Sequence, residues 1–214
     1  MNFVINGPIP ADFMANSKER LAAYRFNSDT HELSVLDQLL LPHKSVFIPI
    51  RDTNDAFSVI RNMQVRSAPL IAVVGALGLL VEMYQIHFVN VGEFTDFIEE
   101  KVAYLLESRP TAINLCNALD HISEVGKGEG DVIARKESVA KAILKLVSDE
   151  AEENRRLIWN GYQEILSLKP PQSKFTVMTI CNTESLATSS WGTALGWSVH
   201  RRIISKQRRT VEGA

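Results

Sequence analysis

The stretch KFTVMTICNTESLATSSWGTALG, residues 174–196, decides how the chain is divided. Its apolar run, Phe175 to Ile180, has the length and composition of a buried strand. Cys181 then begins a polar turn of small residues, and a helical pattern follows. A strand, a turn and a helix in this order are typical of the first βα unit of a doubly wound sheet. We therefore expect an α/β domain to begin here, with Cys181 where such sheets bind their ligands.

Before this stretch, most of the chain has a helical pattern. Capping signals and apolar spacing predict helices over 53–65, 67–85, 92–109 and 110–128, and a long block over 131–168 that breaks near Asn160–Gly161. The helix over 67–85 is apolar on all sides, which indicates that it is buried inside a bundle. The sequence KPPQ at 169–172 is typical of a linker.

The beginning of the chain has a weaker pattern. Residues 1–30 contain two prolines, a glycine and a short polar helix candidate over Ser17 to Arg25, which together favour a loose leader. HELSVLDQLLLP, ending at Pro42, predicts a strand followed by a turn. SVFIPI predicts a second strand, which Pro49 restricts to the edge of a sheet.

These patterns predict an α+β fold that leads into α/β. We expect a leader over 1–30, a mostly helical domain with small β elements near its start over 31–168, and the start of an incomplete Rossmann-like domain over 169–214.

Composition limits the classes of function. The 214 residues are 45% hydrophobic and 22% charged with a formal net charge of −2, so we expect a soluble protein without a nucleic-acid or membrane partner. The longest apolar stretch, Leu70 to Met83, is too short for a membrane span and contains Glu82. Two cysteines are too few for a disulfide framework, and no signal peptide is recognisable. We expect the protein to be located in the cytoplasm, with the nucleus as a second location.

The sequence predicts neither a metal nor a cofactor. Five histidines are scattered without the spacing of a metal site, and no glycine-rich phosphate loop is present. The glycines in GKGEG follow no strand and indicate only a flexible turn.

Two arginines stand immediately before predicted helices. QVRSAP places Arg66 before the buried helix over 67–85, with Ser67 at its start. SRPTAIN places Arg109 before the helix over 110–128, with Pro110 as its first residue. The first amides of a helix attract anions, and a guanidinium adds a bidentate donor for phosphate. The two sites would form one anion site if they converged. The alternative is that Ser67 is an ordinary N-cap and Arg66 a surface residue.

The two cysteines receive different interpretations. Cys181 precedes a helix, where a thiolate is favoured, and Asn182, Thr183 and Ser185 supply small hydrogen-bonding groups beside it. A buried structural cysteine is the alternative. Cys116 lies among apolar residues of an amphipathic helix, and we assign it to a structural role.

Four blocks of the sequence resemble a known family. VLDQLLLP, VRSAPLI, RPTAIN and ICNTESLATSSWGTALG are similar in order and spacing to the LLDQ…LLP, VRGAPAI, RPTAVN and HCNTGALATAGYGTALG blocks of S-methyl-5-thioribose-1-phosphate isomerase. This enzyme is the aldose–ketose isomerase of methionine salvage. The resemblance covers roughly residues 33–199.

The resemblance implies a fold, an activity and a site. The family has a helical N-terminal domain and a Rossmann-like C-terminal domain, is similar in fold to the regulatory subunits of the translation-initiation guanine-nucleotide exchange factor, and forms homodimers that need no cofactor. It implies a small sugar phosphate as substrate, with Arg66, Ser67, Ala68 and Arg109 in substrate-binding positions and Cys181 in the position of the catalytic cysteine. It also implies a catalytic aspartate in a later part of the Rossmann-like domain, which this chain does not reach.

Three residues depart from the family pattern. Ser67 and Glu184 stand where the family has glycine, and Ile180 where it has histidine. A serine would be strained at Ser67 if that position required a positive φ, and a carboxylate at Glu184 would repel a phosphorylated ligand.

Two functions therefore remain open. The first is an isomerase that converts 5-methylthioribose-1-phosphate to 5-methylthioribulose-1-phosphate. The second is a non-catalytic paralogue or interaction module of the initiation-factor regulatory-subunit type.

Overall fold

The computed structural model describes residues 22–168, 178–180, 183, 185–189, 191–193 and 196. Five helices and a small antiparallel sheet account for most of this part of the chain. The sheet has the order β1-β2-β3, with β1 at Tyr24–Asn27, β2 at Glu32–Leu36 and β3 at Phe47–Ile50. The helices are α1 Thr53–Arg61, α2 Ala68–Gln85, α3 Val91–Ser108, α4 Ile113–Gly126 and α5 Val132–Ser167.

The sheet begins earlier than the sequence predicted. Tyr24 pairs with Val35 in an antiparallel ladder, so β1 lies inside the stretch that was expected to form a leader and partly overlaps the helix expected over Ser17 to Arg25. The side chain of Asn27 accepts hydrogen bonds from the amides of Asp29 and Thr30 and closes the connecting turn. The turn and the pairing with β2 therefore override the weak helical pattern. Residues 1–21 lie outside the described residues.

The second and third strands agree with the prediction. The strand β2 is followed by a turn that contains Pro42, and β3 lies at the edge of the sheet, where Pro49 costs the ladder no essential donor. One face of the sheet packs against the hydrophobic core through the buried side chains of Leu33, Val35 and Ile50.

The helix α2 is the centre of the bundle. Its residues from Leu70 to Val81 are all buried, as the apolar sequence predicted. Glycines allow close approach: a Cβ at Gly78 would lie 2.5 Å from the Cβ of Ala56 in α1, and one at Gly75 would lie 2.7 Å from Cδ1 of Leu115 in α4.

The helix α2 is longer than the apolar stretch from Leu70 to Met83, which by itself is too short for a membrane span. At 18 residues it is long and apolar enough to cross a membrane, but 72% of it is buried inside the protein. Core helices of soluble proteins pass the same test, so this observation is weak evidence for a membrane.

Three other expectations need correction. The helix α5 runs unbroken through Gly161, around which nothing lies within 4 Å of a hypothetical Cβ, so the glycine costs some helix propensity without breaking the helix. The helix α4 begins at Ile113, and Pro110 lies in the preceding turn. Residues 178–180 form no strand, and Met178 and Ile180 are almost fully exposed.

The rest of the predicted βα unit is described only in part. Ser185–Ala187 form a 3₁₀ turn that packs against α2. Phe175 to Val177, Cys181 and the helix expected after Gly196 lie outside the described residues.

Candidate functional site

Three of the five described helices have an N-terminus that is closed, meaning that a side chain caps one of its first amides. The carboxylate of Asp52 accepts from the amide of Asp55 at the start of α1, at 2.8 Å. Asn90 accepts from the amide of Glu93 in α3, and Asp131 from that of Ala134 in α5, each at 2.9 Å. Each contact satisfies one of the donors that a helix start leaves without a partner.

The two remaining helices have no such closure. The helix α2 has Ser67 at its N-cap position and α4 has Ala112, and neither side chain makes a capping hydrogen bond. These are also the two helices that follow Arg66 and Arg109. The arginines therefore stand beside the helix N-termini that the described side chains leave open, and an anion is favoured at such positions.

The first turns of α2 and α4 contribute to one cavity, which none of Arg66, Ser67, Ala68 and Arg109 lines. Pro69 in the first turn of α2 and Asn114 in the first turn of α4 line the same cavity, whose volume is about 370 Å³. The sequence could not show this shared cavity, because it depends on how the two helices pack. The far wall of the cavity is α5, which contributes Lys145, Asp149 and Glu150.

The α5 wall is rich in carboxylates. Asp149, Glu150 and Glu153 all line the cavity, and Lys145 contacts Asp149 at 2.5 Å. This wall would repel a phosphate but would accept hydrogen bonds from hydroxyl groups. The charge distribution therefore favours a ligand with its anionic end towards the open helix N-termini and its hydroxyl groups towards α5.

The segment that follows Cys181 in the sequence lies against the N-terminus of α2. The carbonyl oxygen of Leu186 accepts a hydrogen bond from Nε2 of Gln38 at 2.9 Å and another from Oγ of Ser67 at 3.4 Å. The hydroxyl of Ser67 is thus directed towards this segment instead of capping its own helix. The structure thereby brings two blocks of the sequence together that are 119 residues apart.

The helix α5 contacts the same segment from another side. Oε2 of Glu150 accepts from the amide of Ser189 at 3.0 Å and also from its hydroxyl. Burial raises the pKa of the Glu150 carboxyl, although the hydrogen bonds from Ser189 and Asn154 oppose the shift. Tyr24 is affected in turn: burial, with a smaller contribution from Glu150, raises its pKa to about 12.

Two buried side-chain atoms in the described part of the chain have no hydrogen-bond partner. They are Nη1 of Arg109 and Oγ1 of Thr183. An unpaired buried polar atom of this kind is costly, and a ligand, an ion or a water molecule could supply its partner. Both residues belong to blocks that the sequence had selected.

The structure places the predicted site residues as follows. Arg66 and Ala68 are exposed, Ser67 is buried and Arg109 is partly buried. Ser67 has φ −91°, which any residue adopts, so the strain considered for serine at this position does not arise. Cys181, Asn182 and Glu184 lie outside the described residues, and their distances to the arginines remain a prediction. Cys116 is partly buried in α4 with a free thiol.

Sequence reasoning missed two polar residues of this region. Gln38 is buried, and its polar side chain inside the apolar VLDQLLLP block is a signal that could have been recognised. Glu150 lies in an acidic run in which the neighbouring carboxylates look alike, so the sequence offered no means of selecting it. In the described residues, no group of three histidine, cysteine or acidic side chains is arranged to hold a metal ion.

The fold and the site define a class of protein: a helical domain with a small sheet that offers two open helix N-termini and adjacent arginines to an anion. Residues 64–210 match the model of the initiation factor 2 subunit family, and the chain belongs to this family.

Relatives within the family include isomerases. The chain is 49% identical over 211 residues to the methylthioribose-1-phosphate isomerase of Caenorhabditis briggsae. This match covers 97% of the chain and 55% of the relative. The chain thus spans about half the length of this relative.

Two solved structures are similar to the described fold. The delta subunit of translation initiation factor eIF-2B from A. fulgidus has a TM-score of 0.70 at 28% identity, covering 88% of this chain and 52% of that one. The 5-methylthioribose 1-phosphate isomerase from Pyrococcus horikoshii has a TM-score of 0.72 at 24% identity, covering 86% and 49%. The second match supports the fold alone.

Proposed function

We propose that this chain carries one part of the site of an aldose–ketose isomerase. The reaction converts 5-methylthioribose-1-phosphate to 5-methylthioribulose-1-phosphate in methionine salvage. The family membership and the name of the 49% identical relative support this function. It is a proposal because the match covers only 55% of that relative.

One observation carries the proposal: Pro69 and Asn114, in the first turns of α2 and α4, line one cavity, and the segment after Cys181 accepts a hydrogen bond from Ser67 at the N-cap position of α2. A sugar phosphate needs both halves of this arrangement. Its phosphate would accept hydrogen bonds from helix amides and from the guanidinium groups of Arg66 and Arg109. Nη1 of Arg109 is buried and has no hydrogen-bond partner. Its sugar would lie towards Cys181 and the α5 wall.

The chemistry explains these requirements. Aldose–ketose interconversion moves hydrogen between C1 and C2, and a phosphate on C1 prevents the ring from opening to a free aldehyde. The site must therefore assist ring opening by general acid catalysis, hold the phosphate and exclude water. A thiol and a carboxylate on opposite sides of the sugar would divide the acid and base roles. We propose Cys181 as the thiol, and an aspartate of the complete Rossmann-like domain as the carboxylate.

Further features of the isomerase family form part of the proposal. We expect residues 169–214 to begin a Rossmann-like domain, the active form to be a homodimer in the cytoplasm or nucleus, and no cofactor to be required. The matches to two longer chains of the same fold support the domain assignment.

The second candidate is a non-catalytic interaction module. The structural similarity to the initiation-factor delta subunit, at 28% identity over 88% of the chain, favours it. Such a module would have no need for the unpaired guanidinium nitrogen of Arg109 at an open helix N-terminus. The two candidates differ in whether the protein binds a sugar phosphate.

The test measures binding and turnover of 5-methylthioribose-1-phosphate. Calorimetry with the 214-residue chain should detect binding, and replacing Arg109 with alanine should weaken it by about 10²-fold, since charge-assisted hydrogen bonds to phosphate contribute about 1.5–3 kcal/mol. Ketose formation also needs the proposed aspartate, so it is followed by NMR in a chain that includes the complete Rossmann-like domain, and it should be lost there in Cys181→Ala.

The matched control is Arg61→Ala, because Arg61 is an exposed arginine in the last turn of α1 and adjoins no helix N-terminus. It should bind as the wild type does. Absence of binding to the wild-type chain, or equal loss in both arginine variants, would favour the interaction module.

A further inference from the structure

We propose that Glu150 is a positioning residue that holds the 185–189 turn, the segment after Cys181, against the N-terminus of α2. Its consequence for catalysis rests on the proposed function, whereas the positioning itself does not.

The hydrogen bonds of Glu150 fit this role. A carboxylate is an acceptor only, and Glu150 receives three donors: the amide and hydroxyl of Ser189 on Oε2, and Nδ2 of Asn154 on Oε1 at 2.5 Å. Asn154 also donates to the backbone carbonyl of Glu150 at 2.8 Å. The asparagine therefore fixes the carboxylate from within α5, and the carboxylate fixes Ser189.

The other side of the turn is held by different elements. The carbonyl of Leu186 accepts from Gln38, which follows β2, and from Ser67, which precedes α2. Between these anchors, Ala187 and Thr188 are 2% and 0% exposed. The turn is thus clamped between α5 on one side and the open N-terminus of α2 on the other.

Burial of the Glu150 carboxylate costs free energy. Glu150 makes no ion pair with any described residue, and Lys145 on the same wall pairs with Asp149. A half-buried carboxylate without a cation loses hydration energy, which the hydrogen bonds from the turn offset. Glu150 therefore differs from an ordinary exposed glutamate of a helix surface, because its hydrogen-bond partners lie in the turn and in Asn154.

The test compares variants in the whole 214-residue chain. Glu150→Ala removes all three acceptor contacts, and Glu150→Gln keeps an amide oxygen that can accept from Ser189. Glu153→Ala is the matched control, since Glu153 lies one turn further along α5 and lines the same cavity, and within the described part of the chain it makes no hydrogen bond to the turn. Two readouts are measured, amide hydrogen exchange and the alkylation rate of Cys181 in a Cys116→Ser background.

In Glu150→Ala, we expect the amide of Ser189 to exchange about 10-fold faster or more, which corresponds to the loss of about 1.4 kcal/mol of local protection. Alkylation of Cys181 should also change by several-fold, because the thiol precedes the released turn. Glu150→Gln should restore most of the wild-type behaviour. Glu153→Ala should match the wild type, and the amides of α3 should be unaffected throughout.

Unchanged exchange at Ser189 in Glu150→Ala would overturn the proposal. So would equal acceleration in α3, or a Glu150→Gln variant that behaves like Glu150→Ala, since either outcome would mean that the glutamate acts only on overall stability. Neither readout requires a substrate, so a chain that fails to bind sugar phosphate would leave this result intact.

Discussion

The N-termini of α1 and α3 differ from those of α2 and α4 in what satisfies them. At α1, Asp52 caps the amide of Asp55, and Glu82 from the neighbouring helix accepts from the amide of Thr53 at 2.8 Å. At α3, Asn90 and Glu93 close the first turn reciprocally, because Glu93 also accepts from the amide of Val89 at 2.7 Å. The helices α2 and α4 have no side-chain cap.

The free amides at a helix N-terminus can thus serve either the stability of the fold or the binding of an anion. Where side chains close a helix N-terminus, its amides contribute to the stability of the bundle. Where they leave it open, its amides remain free for an external anion, and the fold gives up some stability. Mutations at the closed N-termini should therefore change unfolding, and mutations at the open ones should change ligand binding.

The largest expected effect concerns the closed N-terminus of α1. Lys101 pairs with Glu82 at 2.9 Å, and their side chains are only 18% and 14% exposed. In Lys101→Met the carboxylate stays partly buried without its cation, so we expect the free energy of unfolding in urea to fall by about 3 kcal/mol.

The matched control is Lys127→Met, because Lys127 pairs with Glu99 where both side chains are about half exposed. Its loss should cost less than about 1 kcal/mol. Equal losses in the two variants would mean that the Glu82 contact does not close α1.

Acidification should weaken the same contact. Burial raises the pKa of Glu82, but the hydrogen bonds from Thr53 and Lys101 outweigh it, and the net pKa is lowered from 4.5. A lowered pKa means that the stabilisation is present above pH 4.5 and is lost as the pH falls through the lower value of the folded state.

Unfolding measured from pH 6 down to pH 3 should therefore show a decline in the free energy of unfolding that is smaller in Glu82→Gln than in the wild type. A decline of the same size in both proteins would assign the acid sensitivity to other carboxylates.

An open N-terminus should respond to an anion instead. Inorganic phosphate should raise the free energy of unfolding of the wild type by about 1 kcal/mol more than that of Arg109→Leu, at a concentration about five times the dissociation constant. Phosphate also stabilises proteins non-specifically, and the difference between the variants removes this contribution.

Without phosphate, Arg109→Leu should be at least as stable as the wild type, since it removes a buried nitrogen that lacks a partner. A marked loss of stability would show that Arg109 serves the fold.

The cap of α3 gives a smaller effect. Asn90→Ala should lower the free energy of unfolding by about 1 kcal/mol, the usual cost of losing a side-chain cap. Denaturant titration would measure it, and a change of under about 0.3 kcal/mol would contradict the closure of this helix.

The smallest effect is expected at Ser67. Ser67→Gly should change the free energy of unfolding by less than about 0.5 kcal/mol, since the hydroxyl makes no cap and its contact with Leu186 is long, at 3.4 Å. A loss equal to that of Asn90→Ala would show that Ser67 closes α2 after all.

The sequence predicted the helices well because their signals are local. Continuous apolar residues gave α2 its buried position, and the arginines before α2 and α4 were recognised from their neighbours alone. The strand β1 was missed because a four-residue strand is defined by its partner, β2. The break expected at Gly161 was wrong because one solvent-facing glycine does not end a long helix.

The site contacts depend on tertiary packing. Glu150 and Ser189 are 39 residues apart, and Thr53 and Glu82 are 29 apart. No local pattern marks either pair, since each consists of ordinary surface-type residues that the packing of other elements brings together. The cavity shared by the first turns of α2 and α4 depends on how the two helices pack, which includes the close approach of Leu115 to Gly75, and is equally invisible in a linear pattern.

The length of α5 has a mechanical consequence. Its 36 residues span about 54 Å, and Glu150 lies about 27 Å from its first turn. A tilt of about 2° around that first turn would carry the carboxylate through about 1 Å, a displacement that can slow a positioned reaction by about 10²-fold. The buried side chains of Val139 and Ile143, which hold α5 in the core between its first turn and Glu150, therefore also set the alignment of the turn that Glu150 contacts.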